Sequence, residues 1–176
     1  MALYHFSVRH VSRGKGQMVV ASAAYISGQR IFDSYYNKIH DYTSKSGVVF
    51  TEILTPEYVP ERLTDRETLW NEVEHVERNN KAQLAYSFDI ALQNELTLEE
   101  NIKLAKEFCQ EQFVARGMIV DLAVHEGKSD NEEEPDNPHF HVLVPIRPFT
   151  EEGIWGNKQR REYILDEDGN RVKDAK

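Results

Sequence analysis

Hydrophobic and polar residues alternate along several short stretches of the chain, as they do in β-strands that bury one face. These stretches are also rich in β-branched and aromatic residues, which favour strands. Strands are predicted for residues 2–11, 47–54, 83–92, 118–125 and 139–147. A hairpin with a glycine-containing turn is predicted near the end of the chain, over residues 163–172.

Three other stretches predict helices. Residues 19–29 are rich in alanine and serine, which indicates a helix whose backbone lies close to a neighbouring element. Two later helices, ending near residues 79 and 116, are each opened by a predicted capping box. The two boxes are Thr64 with Glu67, and Thr97 with Glu100. Gly117 is predicted to end the last of these helices. Residues 13–16 are predicted to form a basic turn, and residues 30–46 and 126–137 are predicted to be loops.

This order of elements predicts an α+β domain, in which an antiparallel sheet carries helices on one side. The length of 176 residues fits a single domain spanning residues 1–176. Residues 171–176 are a charged segment with no packing element. We therefore expect the domain to be truncated at its C-terminus.

Composition narrows the class of protein. The single cysteine, Cys109, excludes an intramolecular disulfide and fits a reducing compartment. Cys109 falls within a predicted amphipathic helix, which favours a place in the core over a role as nucleophile. The chain shows no signal peptide and no apolar run near the roughly 18 residues of a membrane span. We expect a soluble, cytoplasmic protein.

The net charge of −9 argues at first against a nucleic-acid partner, but the charge is unevenly distributed. Residues 1–50 carry six basic and two acidic groups, whereas residues 51–137 carry eight basic and 21 acidic groups. Residues 138–176 carry seven of each. A site for a polyanion is therefore expected near the two ends of the chain, with the acidic helices facing away from it.

Histidines give the strongest chemical signal. His139 and His141 are two residues apart on a predicted strand, so they point to the same face, and His125 ends the preceding strand. Three converging imidazoles are typical of a catalytic divalent-metal site, with Mn, Mg, Co, Ni or Zn as candidates. The alternative is three surface or hydrogen-bonded histidines without a metal. A cupin-type site is disfavoured because Pro145 and Ile146 stand where its glutamate would follow.

The nucleophile must come from another residue type, since the sequence contains no P-loop, HExxH, GxSxG or CxxC motif. Tyrosine is the abundant candidate, with eight in the chain. One of them, Tyr25, lies among alanines on the first predicted helix, where the alternative is a core aromatic residue.

Three segments, in this order, resemble motifs of the MobA/MobL (MobQ-type) conjugative relaxases, which belong to the HUH endonuclease superfamily. The likeness runs from about Tyr4 to about Tyr163. The segments are Ala21–Tyr25, His40–Val48, and Pro138–His141 followed by Arg147.

The resemblance implies a five-stranded antiparallel palm with flanking helices. It also implies site- and strand-specific nicking and rejoining of DNA at a plasmid or mobile-element origin of transfer. Tyr25 would be the nucleophile that forms a 5′-phosphotyrosine link. A divalent metal would be held by His125, His139 and His141.

The chain departs from many relatives at Ser87, where they carry an acidic residue. Asp89 lies two residues further on the same strand face, and could orient a histidine or act as a base. Asp121 is a second candidate because it shares a face with His125 if that strand is regular.

Basic residues on both sides of these motifs are candidate DNA contacts, with ordinary surface charge as the alternative. Tyr42 is a candidate stacking residue, and Trp155 lies near the later basic group. The basic candidates are Arg9, Arg13, Lys15, Arg30, Lys158, Arg160 and Arg161.

Three other functions stay open at this point. They are a rolling-circle replication initiator, a non-catalytic metal-stabilised DNA-binding module with a fourth protein ligand, and a hydrolase of small phosphoesters with a closed pocket. For the relaxase we expect a monomer that acts on single-stranded or supercoiled DNA at a transfer origin. Accessory relaxosome proteins and a coupling protein are its expected partners.

Overall fold

The structure, a computed structural model, describes residues 4–128, 136–159, 164, 167–168 and 170. Ten strands and helices of the described part build the fold. In chain order they are β1 (Phe6–Ser12), α1 (Val19–Ser27), β2 (Arg30–Asp33), β3 (Lys38–Asp41), β4 (Val48–Leu54), α2 (Arg66–Val76), β5 (Gln83–Ala91), α3 (Leu98–Gln112), β6 (Val120–His125) and β7 (His139–Pro145).

Five of the strands form one sheet in the order β1-β5-β7-β6-β4, and every neighbouring pair is antiparallel. The predicted α+β class and the five-stranded antiparallel palm are confirmed. Strand β7 lies at the centre of the sheet, so its side chains are positioned from both sides.

Helices cover both faces of this sheet, and the expectation of helices on one side is wrong. On one face, Ala23 of α1 and Trp70 of α2 share a buried cluster with Leu143 of β7. On the other face, Cys109 of α3 is fully buried in a cluster with Phe140. The physical reason is that the central strands are apolar on both sides, which requires a cover on each.

Residues 30–46, predicted as a loop, contain the two-stranded hairpin of β2 and β3. Ile31 pairs with His40 on the buried side of this hairpin. Asn37 makes the turn with a positive φ of 49°, a conformation that asparagine tolerates better than most residues. The strands have four residues each and a partly polar buried side, so the alternation of hydrophobic residues did not reveal them.

The N-cap of the second helix lies one residue later than predicted. Asp65 caps α2 by accepting a 2.8 Å hydrogen bond from the Thr68 amide. The Thr64 hydroxyl instead donates to the carbonyl of Glu61 in a preceding 3₁₀ turn. The predicted box of Thr64 and Glu67 is therefore wrong, because an adjacent aspartate takes the capping position.

The third helix follows its prediction at the start. Thr97 and Glu100 form the reciprocal capping box. Helix α3 ends at Gln112, a 3₁₀ turn continues the chain, and Gly117 ends it with a φ of 83°. No helix among the described residues is long and apolar enough to cross a bilayer. The hairpin predicted for residues 163–172 lies mostly outside the described residues.

Candidate active site

Antiparallel pairing of the two central strands brings the three histidines together. His125 of β6 is directly opposite His139 of β7, and His141 follows on the same face of β7. One possible ligand atom from each ring lies within 4.8 Å of those of the other two. The ring centroids are 4.6 Å apart for His125 and His141 and 5.2 Å apart for His125 and His139. The predicted convergence of the imidazoles is therefore observed.

Backbone carbonyls orient two of the three rings. His125 Nε2 lies 2.7 Å from the Ile26 carbonyl, and His139 Nδ1 lies 2.8 Å from the Asn137 carbonyl. Because a carbonyl only accepts, each of these nitrogens carries the proton. The lone pairs on His125 Nδ1 and His139 Nε2 are left to bind a metal ion.

The electrostatics of the cluster keep the rings of His125 and His141 neutral at neutral pH. Burial, together with the nearby charge of Lys45, lowers the pKa of His125 to about 4. The pKa of His141 is lowered to about 4, mainly by burial and secondly by the neighbouring His125. Imidazole must be unprotonated to bind a metal, so these residues fit a divalent ion at neutral pH. Among the described residues, no fourth histidine, cysteine or carboxylate joins the group.

Gly127 packs closely against Asn137 beside these histidines. It has a φ of 58°, and a Cβ placed there would come within 1.8 Å of the Asn137 carbonyl oxygen. The Asn137 amide donates a 2.8 Å hydrogen bond to the Gly127 carbonyl. Glycine therefore allows the close approach that places the carbonyl orienting His139. Sequence reasoning gave this glycine no role.

Tyr25 lies in the last turn of α1, next to the histidine cluster. Its side chain is 50% exposed, which rules out the reading of Tyr25 as a core aromatic residue. Two adjoining cavities, of about 390 and 590 Å³, share Tyr25, Asp89 and His141 among their lining residues. We call these two cavities the site groove. The candidate nucleophile and the candidate ligands thus line one groove.

Lys45 is a site residue that the sequence analysis did not single out. Its ammonium lies 3.6 Å from the centroid of the Tyr25 ring and donates a 3.0 Å hydrogen bond to the Tyr25 carbonyl. Burial lowers the pKa of Lys45. The sequence did contain a signal for Lys45, because it lies within the segment His40–Val48 that resembles the family's second motif.

The two candidate carboxylates have different surroundings. Asp89 pairs with His141 across β5 and β7 and lies in the site groove, with His5 Nε2 at 3.8 Å. Within the described part of the chain, no hydrogen bond joins Asp89 to the cluster, so carbonyls and not this carboxylate orient the rings of His125 and His139. Asp121 is fully buried and bound by Arg66 and by the Trp70 indole. The prediction of Asp121 as a histidine-orienting residue is wrong, because its oxygens are occupied elsewhere.

Only some of the predicted DNA-contact residues reach the groove. Arg9 and Tyr42 line its first cavity, and the Tyr42 ring meets that of Tyr25 edge-on at 5.4 Å. Lys15 and Arg30 are exposed but do not line it, and Arg30 lies 3.6 Å from Asp41.

The remaining predicted basic contacts lie elsewhere. Arg13 is only 8% exposed and donates to the carbonyls of Glu74, Glu77 and Asn79. Its guanidinium is therefore not free to bind phosphate, and the prediction of Arg13 as a DNA contact is wrong. Lys158 is bound by Glu77 at 2.7 Å. Arg160 and Arg161 lie outside the described residues.

The acidic helices are split between the two faces. Helix α3 packs on the face opposite the histidines, as expected. Helix α2 packs beside α1 on the histidine face, so that part of the expectation is wrong. Its residues Arg66 and Trp70 bind Asp121, at the opposite end of β6 from His125.

The sequence model that describes the MobA/MobL family matches residues 17–176. This chain belongs to the MobA/MobL family. Among its relatives are a conjugal transfer protein TraA of Agrobacterium fabrum, 36% identical over 98% of this chain, and a probable mobilization protein MobA of Bifidobacterium longum, also 36% identical over 98%. The chain spans 16% and 30% of the lengths of these two proteins.

Comparison of folds agrees with this family membership. A solved structure concerning the molecular basis of vancomycin resistance transfer in Staphylococcus aureus has a TM-score of 0.80 and 35% sequence identity. The likeness covers 98% of this chain and 81% of that one. The MobA/MobL chain therefore shares sequence with proteins named for conjugal transfer and mobilization, and architecture with a structure concerning vancomycin resistance transfer.

Proposed function

We propose that this MobA/MobL chain nicks one DNA strand at an origin of transfer and later rejoins it, through a covalent link to Tyr25. The observation that carries the proposal is that half-exposed Tyr25 and the three-histidine cluster line the same open groove. The names of the relatives, which concern conjugal transfer and mobilization, support the choice of DNA.

The chemistry is a reversible transfer of a phosphoryl group. The Tyr25 phenol oxygen attacks the phosphorus of the scissile phosphodiester, and the bond from phosphorus to the 3′-oxygen breaks. The 3′-oxygen leaves and takes up a proton from water, to which that proton returns on rejoining, while the 5′-phosphate stays on the tyrosine. Attack by a 3′-hydroxyl on this phosphotyrosine reverses the step and rejoins the strand.

The phenol must lose its proton during the attack. Asp89 is our candidate for the base, because its carboxylate lines both cavities of the site groove. In the return step the same carboxyl group would give the proton back to the tyrosine.

The metal site and the strand contacts complete the proposal. His125, His139 and His141 would hold a divalent ion, which when bound withdraws charge from the non-bridging phosphate oxygens and aligns the scissile group. Arg9 and Tyr42 line the first cavity of the site groove. In this proposal Arg9 would bind a backbone phosphate, and Tyr42 would stack on a base.

Three observations weigh against the alternatives. A purely structural metal site would be closed by a fourth protein ligand, and within the described residues the group has three. A hydrolase of small phosphoesters calls for an enclosed pocket, whereas this groove is open. A replication initiator would use the same chemistry, and the relatives' names favour transfer.

The test uses oligonucleotides tiled across a candidate transfer origin, with and without a divalent metal. We expect a metal-dependent covalent shift of the protein that Tyr25→Phe abolishes. Tyr42→Phe is the matched control, since it removes a second hydroxyl from the same cavity and should leave the adduct. An adduct that persists in Tyr25→Phe would show that another residue is the nucleophile. Mobilization set against replication of a plasmid carrying the site separates relaxase from initiator.

The cellular setting follows from the same proposal. We propose that residues 1–176 act as a monomeric nicking domain of a longer bacterial protein in the cytoplasm. Accessory relaxosome proteins and a coupling protein would be its partners at the origin.

A further inference from the structure

The C-terminal turn of α1 is held by two side chains from the wall of the site groove. Carbonyls in the last turn of a helix have no partner within the helix. Here Lys45 Nζ lies 3.0 Å from the Tyr25 carbonyl, and His125 Nε2 lies 2.7 Å from the Ile26 carbonyl. A cation is also favourable at this negative end of the helix dipole. The backbone of the candidate nucleophile is therefore fixed from outside its helix.

The Tyr25 ring is contacted on its face as well as at its edge. Lys45 Nζ lies 3.6 Å from the ring centroid, and Tyr42 meets the ring edge-on at 5.4 Å. A half-exposed tyrosine would otherwise exchange between side-chain rotamers at the surface. The contact of a cation with an aromatic face favours one of these orientations.

Among the described residues, no acid forms a salt bridge with the Lys45 ammonium. Its side chain is half-buried, and its ammonium contacts the carbonyl and the ring of Tyr25. Lys128 lines the same cavity but is exposed and bound to Glu126 at 2.9 Å. The two lysines thus share a groove, and only Lys45 is directed at the tyrosine.

We propose that Lys45 is a positioning residue for Tyr25, which holds the ring between its ammonium and Tyr42 in the orientation used for attack. The proposal rests on the proposed nicking function. It goes further by assigning a role to a residue that is neither the proposed nucleophile nor one of the proposed metal ligands.

The first experiment needs neither DNA nor metal. Protein labelled with 3-fluorotyrosine is examined by ¹⁹F NMR, and the Tyr25 signal is identified by its loss in Tyr25→Phe. Lys45→Met keeps the apolar stem but removes the cation and the donor, so we expect the Tyr25 signal to move and to narrow. Lys128→Met is the control and should leave the signal in place. An unchanged signal in Lys45→Met would overturn the proposal.

The second experiment separates positioning from strand binding. With saturating oligonucleotide, Lys45→Met should form the covalent adduct about 10- to 100-fold more slowly, as expected for a misplaced reactive group. Its affinity for the uncleaved strand should change little, and Lys45→Arg should recover part of the rate. A merely structural role would lower the melting temperature without this split between rate and affinity.

Two results would contradict the positioning role or its basis. If Lys45→Met weakens strand binding and leaves the rate at saturation intact, Lys45 is a phosphate contact instead. If the unmodified protein forms no adduct with any oligonucleotide, the nicking function fails. The ¹⁹F result then still decides whether Lys45 holds the Tyr25 ring.

Discussion

The two ends of strand β6 place polar side chains on the same face of the sheet, yet their surroundings are opposite in kind. At one end, Asp121 is fully buried and receives hydrogen bonds of 2.9 Å from Arg66 Nη2 and 2.8 Å from the Trp70 indole. At the other end, His125 uses one ring nitrogen on a carbonyl, and its ring lies 4.6 Å from that of His141 and 5.2 Å from that of His139, centroid to centroid.

This contrast separates a structural polar group from a functional one. The carboxylate of Asp121 has its partners within the protein, so it can only stabilise the fold. The histidine cluster keeps ligand atoms free at the edge of a groove, so it can bind something from outside. Residue type and strand position alone do not reveal the difference, because both residues were candidates for the same site.

Mutations at the Asp121 end of β6 should lower the stability of the fold more than mutations at the His125 end. Arg66→Met leaves the Asp121 carboxylate buried without a cation, and we expect the free energy of unfolding to fall by about 3–5 kcal/mol. Urea denaturation measures this loss. The double variant Arg66→Met/Asp121→Leu should recover part of it, because the unpaired buried charge is removed while the Trp70 indole N–H loses its acceptor. A single variant as stable as the unmodified protein would contradict the comparison.

Mutations at the histidine end of β6 should lower the affinity for a metal ion rather than the stability of the fold. His139→Gln removes one of three imidazoles, so we expect the affinity for Zn²⁺ or Mn²⁺ to fall by at least about 100-fold. Its free energy of unfolding without metal should stay within about 0.5 kcal/mol, since His139 is half-exposed. Competition with a chromophoric chelator measures the affinity. His5→Gln changes a histidine outside the cluster and should bind metal normally, whereas equal binding by His139→Gln would remove His139 from the site.

The smallest expected effect is on the pH dependence of stability. The pKa values of His125 and His141 are lowered to about 4, while an unfolded histidine titrates near 6.5. Between these values the unfolded chain binds more protons, so the metal-free protein should lose stability as the pH falls from about 6.5 to 4. Glu74 acts in the opposite direction, because burial raises its pKa to about 7 and its contribution is lost as the pH rises.

A pair of variants isolates the histidine contribution. Thermal melts of metal-free protein across this pH range should show a weaker acid destabilisation in His125→Gln/His141→Gln than in the unmodified protein. The contribution of Glu74 is common to both and cancels in the difference. Identical pH profiles would show that burial does not hold the two imidazoles neutral.

Local signals in the sequence predicted much of the fold and the core of the site. The histidine cluster required only strand alternation and one antiparallel pairing, which together place three residues on one face. The capping box of Thr97 and Glu100 is complete within four residues and needs no tertiary contact. Such features are determined by neighbours along the chain.

Other features depend on contacts that the chain makes at a distance. Arg13 is removed from the surface by carbonyls more than 60 residues away, which no local pattern encodes. Lys45 reaches Tyr25 across 20 residues because the β2–β3 hairpin returns the chain to the end of α1. The polar residues of the site could be proposed from sequence, whereas their division into bound and free groups required the fold.

The most direct measurement is mass spectrometry of the residue that carries the DNA 5′-phosphate after reaction with a transfer-origin oligonucleotide. Trypsin places Tyr25 alone among tyrosines on residues 16–30, and Tyr42 on residues 39–45. We predict that the phosphate is found on the peptide of residues 16–30, at Tyr25. A phosphate on residues 39–45, or on any other peptide, would contradict the account.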